Sequence, residues 1–171
     1  APVRSIAFAG AVTRVAASPD GADLYVTLGG PIRHFSDPLL EVTTATGAVV
    51  ARTYAGVSDL DGVSVLAPMG DGVWVGAPSG MMGSLSLLRA GTLAQVAGPI
   101  GGSNGIAATF ADGHLWVTDA QRLTCNAPGT GRTLGSLSPP GQGYGVVVQA
   151  GSLVLGAIGK SLYRIDPSVA C

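Results

Sequence analysis

Charge is what this chain has least of. Only 11% of its 171 residues are Asp, Glu, Lys or Arg, against about 25% in ordinary globular domains. The net charge is −1, which excludes the basic footprint of a nucleic-acid or anionic-membrane binder. Aromatic residues make up only 5% and there are two histidines. The two cysteines have neither a second pair nor the histidine spacing of a zinc site. No apolar run approaches the roughly 20 residues of a membrane helix, so no membrane span is expected. Catalytic signatures are missing as well: there is no Gly-x-Ser-x-Gly, His-Glu-x-x-His or phosphate-binding loop. No metal and no cofactor are implied.

What the chain has is small residues and turns. Glycine occurs 27 times and proline 11 times, within a chain that is 47% hydrophobic. That mixture suits an all-β fold of short apolar strands joined by tight turns. One pattern recurs, a turn glycine followed by an apolar strand. It reads Asp20-Gly21-Ala22-Asp23-Leu24-Tyr25-Val26-Thr27, then Asp71-Gly72-Val73-Trp74-Val75-Gly76, then Asp112-Gly113-His114-Leu115-Trp116-Val117-Thr118. A worn copy follows as Ala150-Gly151-Ser152-Leu153-Val154-Leu155. Copies lie about 40 to 50 residues apart, the period of a four-stranded propeller blade.

A single β-propeller domain over 1–171 is therefore expected, with blades at about 12–54, 63–97, 106–137 and 146–171. Each unit divides into strands A to D, and the fourth lacks D. The A strands are rich in Gly, Ala, Ser and Val, as crowding around an axis demands. Trp74 and Trp116 occupy matching places in strand B, where large rings fill the space between blades. Val3-Arg4-Ser5-Ile6-Ala7-Phe8 is a spare strand that could complete the fourth blade and close the ring, leaving no sheet edge open. The alternative is a fragment of a six- to eight-bladed propeller.

Val15-Ala16-Ala17-Ser18-Pro19-Asp20-Gly21 with Leu24-Tyr25-Val26-Thr27 resembles the repeat of the YVTN family of bacterial β-propellers. Thr46-Gly47-Ala48-Val49 and Ile165-Asp166-Pro167 resemble the same repeat, and WD40 and NHL propellers share much of the pattern. The resemblance implies secreted or periplasmic location, or a sensor or scaffold domain, and binding more often than catalysis. The chain opens Ala1-Pro2-Val3-Arg4, read either as a mature end after signal removal or as a cut from something longer. Cys125 and Cys171 make an even pair, compatible with one disulfide in an oxidising compartment or with two unrelated thiols.

Propeller geometry puts the B–C and D–A loops on one face, the expected ligand face. The B–C loops supply Arg33, His34 and Asp37, then Met81 and Met82, then Asp119, then Lys160. The D–A loops supply Asp59 and Asp61, then Asn104, then Gln142 and Tyr144. Asp61, Asn104 and Tyr144 each precede the glycine that opens a strand A, aimed at the channel mouth or merely capping turns. Gly101-Gly102-Ser103-Asn104-Gly105 reads as a turn, and His114 as an exposed turn residue. The leading expectation is a non-enzymatic binding or scaffold propeller, exported, holding an unknown protein or small-molecule ligand. Two alternatives stand beside it: a lyase or hydrolase with its site at the channel mouth, and a sensor domain of a longer regulator. Two histidines in total, one of them on that face, favour binding over acid–base catalysis.

Overall fold

The structure is a computed structural model that describes residues 5–29, 38–53, 63, 65–77, 82–103, 107–118, 122–138, 146–150, 153–158, 161–166, 168 and 171. They form four antiparallel sheets, each a meander whose strand order follows the sequence. Blade 1 holds β1 (Ala11–Ala17), β2 (Asp23–Gly29), β3 (Leu39–Thr43) and β4 (Val49–Thr53). Blade 2 holds β5 (Val65–Met69), β6 (Gly72–Ala77), β7 (Met82–Arg89) and β8 (Gln95–Ser103). Blade 3 holds β9 (Ala107–Ala111), β10 (His114–Thr118), β11 (Leu123–Asn126) and β12 (Thr133–Leu137). Blade 4 has three strands, β13 (Val146–Ala150), β14 (Leu153–Ile158) and β15 (Ser161–Ile165). The first strands line up side by side, β1 with β5, β5 with β9 and β9 with β13. This is the all-β arrangement of propeller blades that the repeat predicts.

Successive side chains on a strand point to opposite faces, and here both faces bury apolar groups. Tyr25 and Leu39 of blade 1 pack with Val63, Val73, Val75, Leu88 and Leu93 at the junction with blade 2. Trp74, Leu85 and Leu87 of blade 2 pack with Leu115 and Val117 of blade 3. Trp116, Leu123 and Cys125 of blade 3 pack with Ile165 of blade 4. A sheet covered on both faces needs no polar side, which is why its strands read as unbroken apolar runs.

The hairpins repeat in detail. In each of blades 1 to 3 a backbone N–H bonds the carbonyl four residues back: Gly47 to Thr43, Leu93 to Arg89 and Gly131 to Ala127. The register slips just before each of these turns, after Glu41, Leu87 and Cys125. Such bulges add local twist. Gly131 (φ 71°) shows why the turn wants glycine, because a Cβ there would overlap Ile100 and the Trp74 ring. The Trp74 indole N–H donates to the Pro128 carbonyl of the same turn at 2.8 Å. Blade 2 is thus pinned under a turn of blade 3.

One expectation needs correction, and another stays open. Gly101-Gly102-Ser103 is not a turn but the end of β8, paired with Ser84, Gly83 and Met82. The reason is that β7 starts as early as Met82 and offers these residues a hydrogen-bonding partner. Closure of the ring by residues 3–8 is not established, and residues 3 and 4 lie outside the described residues. Residues 5–8 carry no strand, and Ile6 and Phe8 pack on Val26, Leu28, Leu40 and Val42 of blade 1. The fourth sheet stays three-stranded, and the packing seen between the other first strands is not found between β13 and β1 among the described residues. On β15, residues Ser161 to Arg164 are exposed.

Truncating either buried indole should be expensive. Trp74→Ala and Trp116→Ala are each expected to lose about 3–5 kcal/mol in urea unfolding. Gly131→Ala should lose more than Gly91→Ala, since both have positive φ but only Gly131 lacks room for a Cβ.

Candidate functional site

The described residues leave most of the expected ligand face aside. Arg33, His34, Asp37, Asp59, Asp61, Met81, Asn104, Asp119, Gln142, Tyr144 and Lys160 lie outside them. Met82, expected in a loop, instead opens β7.

What the structure does place is a cleft of about 410 Å³ between the first strands of blades 1 to 3. Thr13, Arg14 and Val15 come from β1, Val65 and Leu66 from β5, and Ala107 and Ala108 from β9. The small residues of these strands leave the space open. A bulge between Val12 and Arg14 breaks the alternation of β1. Thr13 shares a 2.8 Å hydroxyl hydrogen bond with Thr27, and the Arg14 Nε donates to the Val63 carbonyl at 2.7 Å. That bond anchors the guanidinium between blades 1 and 2. The fork has four further N–H donors for an anionic or carbonyl oxygen. Nothing in the sequence reading singled out Arg14. Its signal was a lone cation in the otherwise uncharged run Val12-Thr13-Arg14-Val15-Ala16-Ala17.

The junctions between blades carry the remaining chemistry. Tyr25, Trp74 and Trp116 stand at one repeat position, cross-strand partners of Glu41, Leu87 and Cys125. At the first junction the buried Glu41 carboxylate accepts the Gly91 N–H at 2.7 Å from the turn of blade 2. Burial pushes its carboxyl up, the Gly91 hydrogen bond opposes this, and Asp23 adds to it. At the second, the Trp74 indole takes the linking role. At the third, Cys125 and Cys171 form a disulfide. Cys125 is fully buried beside Trp116 and Leu123, and Cys171 is exposed. The bond therefore begins in the core of the junction rather than on an outer rim.

His114 is not an exposed turn residue but the half-buried first residue of β10. Its Nδ1 lies 2.7 Å from the Asp112 carbonyl. A carbonyl only accepts, so Nδ1 is the donor of this bond. A ring nitrogen of His114 is within 4.8 Å of both disulfide sulfurs. Bonded to each other, the sulfurs are not thiolate ligands, and the cluster does not form a metal site in this oxidised state.

The turns hold local polar networks. Asp20 accepts from the Ser18 hydroxyl at 2.6 Å and the Ala22 N–H at 3.0 Å, and these bonds lower its pKa. Asp166 repeats the device with the Ser168 hydroxyl and N–H, again lowering the pKa. Ser-Pro-Asp-Gly is thus a turn scaffold, and both carboxylates are occupied by their own loops.

No protein-family profile matches the chain, and no curated protein matches it. Solved structures do resemble it. A computationally designed protein, Ika4, has TM-score 0.69 at 14% identity, over 96% of this chain and 100% of its own. BamB from Moraxella catarrhalis has TM-score 0.64 at 14% identity, over 95% of this chain and 52% of its own. Hydrazine synthase of Kuenenia stuttgartiensis has TM-score 0.65 at 14% identity, over 91% and 46%. The chain spans about half the length of these two natural proteins, and the likeness is one of fold.

Two outcomes check the junctions. Replacing both cysteines by serine should cost about 4 kcal/mol, from a loop closed at a separation of 46 residues, and non-reduced alkylated protein should carry no adduct on either cysteine. Glu41 binds its proton more tightly folded than unfolded, so its contribution is greatest below the ordinary value of 4.5. It should be lost as pH rises from there through the raised folded value. Melting temperatures of Glu41→Gln should lack this decline, while the wild type shows it.

Proposed function

We propose that the protein is a non-enzymatic binding propeller whose ligand or partner presents an anionic group to the cleft at Arg14. The carrying observation is the guanidinium, anchored by one bond to Val63 among the otherwise uncharged residues Thr13, Val15, Val65, Leu66, Ala107 and Ala108. An open cleft whose exposed lining is mostly polar, with one guanidinium fixed in place and one hydroxyl beside it, has the makings of recognition of an anionic group. It offers no acid–base pair or nucleophile for turnover. The loops bearing Arg33, His34, Asp37, Asp59, Asp61, Met81, Asn104, Asp119, Gln142, Tyr144 and Lys160 form the rim in this reading. The disulfide supports an exported, oxidising setting.

Titration of isotope-labelled protein with succinate, a small dicarboxylate, tests the reading. Saturable amide shifts on β1, β5 and β9 are expected, with a Kd on the order of 1 mM, and Arg14→Ala should abolish them while the circular dichroism of the sheets is retained. Shifts that persist in Arg14→Ala, or the absence of any saturable shift, would contradict it.

A further inference from the structure

The register of the repeats identifies one sheet face that lacks its cover. In blade 3, Trp116 pairs with Cys125, and Leu123 pairs with Thr118. The same positions in blade 4 are Leu155 paired with Arg164, and Leu162 paired with Ala157. In blades 1 to 3 this position and its neighbour two residues before are buried: Leu39 and Glu41, Leu85 and Leu87, Leu123 and Cys125. In blade 4 they are exposed, Leu162 at 66%. Three times in this chain such a face is covered by the following blade. Blade 4 has no following blade among the described residues.

The other end of the chain shows the complementary deficit. The outermost strand of each blade also packs against the next one. Ala97 and Ile100 of β8 lie against the junction with blade 3, and Ala51 of β4 lies against the junction with blade 2. Ile6 and Phe8 lie in the same way against Val26, Leu28, Leu40 and Val42 of blade 1. The match extends to the turns. Ile100 abuts Gly131 in the turn of blade 3, and Ile6 abuts Gly47 in the equivalent turn of blade 1, 3.2 Å from the place of a Cβ. Beside Gly131 the Trp74 ring completes the contact. Residues 5–8 therefore occupy the place of a fourth strand whose blade is elsewhere, and blade 4 is a blade without a fourth strand.

We propose that the missing partner is a second copy of this chain. Blade 4 of one copy stacks on blade 1 of the other, and residues 5–8 of that other copy run beside β15 as the fourth strand of a composite blade. Among the described residues each copy shows one uncovered following face and one N-terminal segment without its blade, so two copies would satisfy each other twice by a two-fold rotation and close without leaving an edge. The contact is the same blade-on-blade packing already made three times inside the chain, with Leu162 entering the place of Leu123.

Light scattering coupled to size exclusion tests this on the 171-residue chain. A species of twice 16.9 kDa is expected across micromolar concentrations. Leu162→Glu and, separately, deletion of residues 1–9 should each raise the dimer dissociation constant at least tenfold, with the circular dichroism of the sheets and the disulfide retained. Mixing the two variants should restore a heterodimer, because one junction can still form between an intact Leu162 face and an intact N-terminal segment. A wild-type chain that stays monomeric would overturn the proposal and assign the face to another partner or to further chain. A dimer indifferent to both changes would overturn it too, by placing the contact elsewhere.

Discussion

A four-stranded sheet with strands of four to nine residues cannot stand alone in water, and everything in this protein follows from that constraint. Isolated small sheets are marginal because one exposed apolar face offsets what the other buries. Here each sheet uses its neighbours as cover. One large side chain per blade does most of the filling, Tyr25, Trp74 or Trp116, all fully buried. The turn of the next blade closes over it. The three junctions share this geometry but use different fastenings: a carboxylate on a turn N–H, an indole N–H on a turn carbonyl, and a disulfide. The covalent one joins blade 4, which lacks a fourth strand and has packing on one described face. Chain entropy is therefore restrained where packing contributes least.

The polar groups obey the same economy. Buried side chains such as Glu41, Thr27 and Asn126 are all hydrogen-bonded, and no described buried polar side-chain atom lacks a partner. Asn126 is the fullest case, donating to the Leu115 carbonyl and to Thr124 while accepting from the Thr133 hydroxyl. It holds the bulge of blade 3 where Val42 and Leu88 hold theirs by burial. The low charge of the chain follows, since a structure with two apolar faces per sheet has little surface left to charge.

Much of this was legible in the sequence. The turn-strand repeat located the B strands to within a residue or two, and the small residues of the A strands marked the axis. The tryptophans were readable as fillers because they recur at one repeat position and because nothing near them could use an indole chemically. Other features were not legible. Gly101-Gly102-Ser103 has the composition of a turn, and only the early start of β7 makes it a strand. Ile6 and Phe8 show the alternation of a pairing strand, but where they dock depends on a bare face of blade 1 that no local pattern reveals. Arg14 was overlooked because a single arginine in a strand carries no motif; its meaning comes from a bulge and from the Val63 carbonyl, 49 positions away. Glu41 was overlooked for the same reason, its partner being a turn in another blade.

The central claim is that packing on both faces, rather than strand pairing, sets the stability of each blade. Native-state hydrogen exchange of the backbone amides tests it most directly, since local opening energies scale with how much each unit is buried by others. The account predicts that amides of β6 and β10, sandwiched between neighbours, exchange only by global unfolding. Those of β14 and β15 should open at a lower free energy, by a margin that widens when the disulfide is reduced. Equal protection in all four blades, or blade 4 as the most protected, would contradict it.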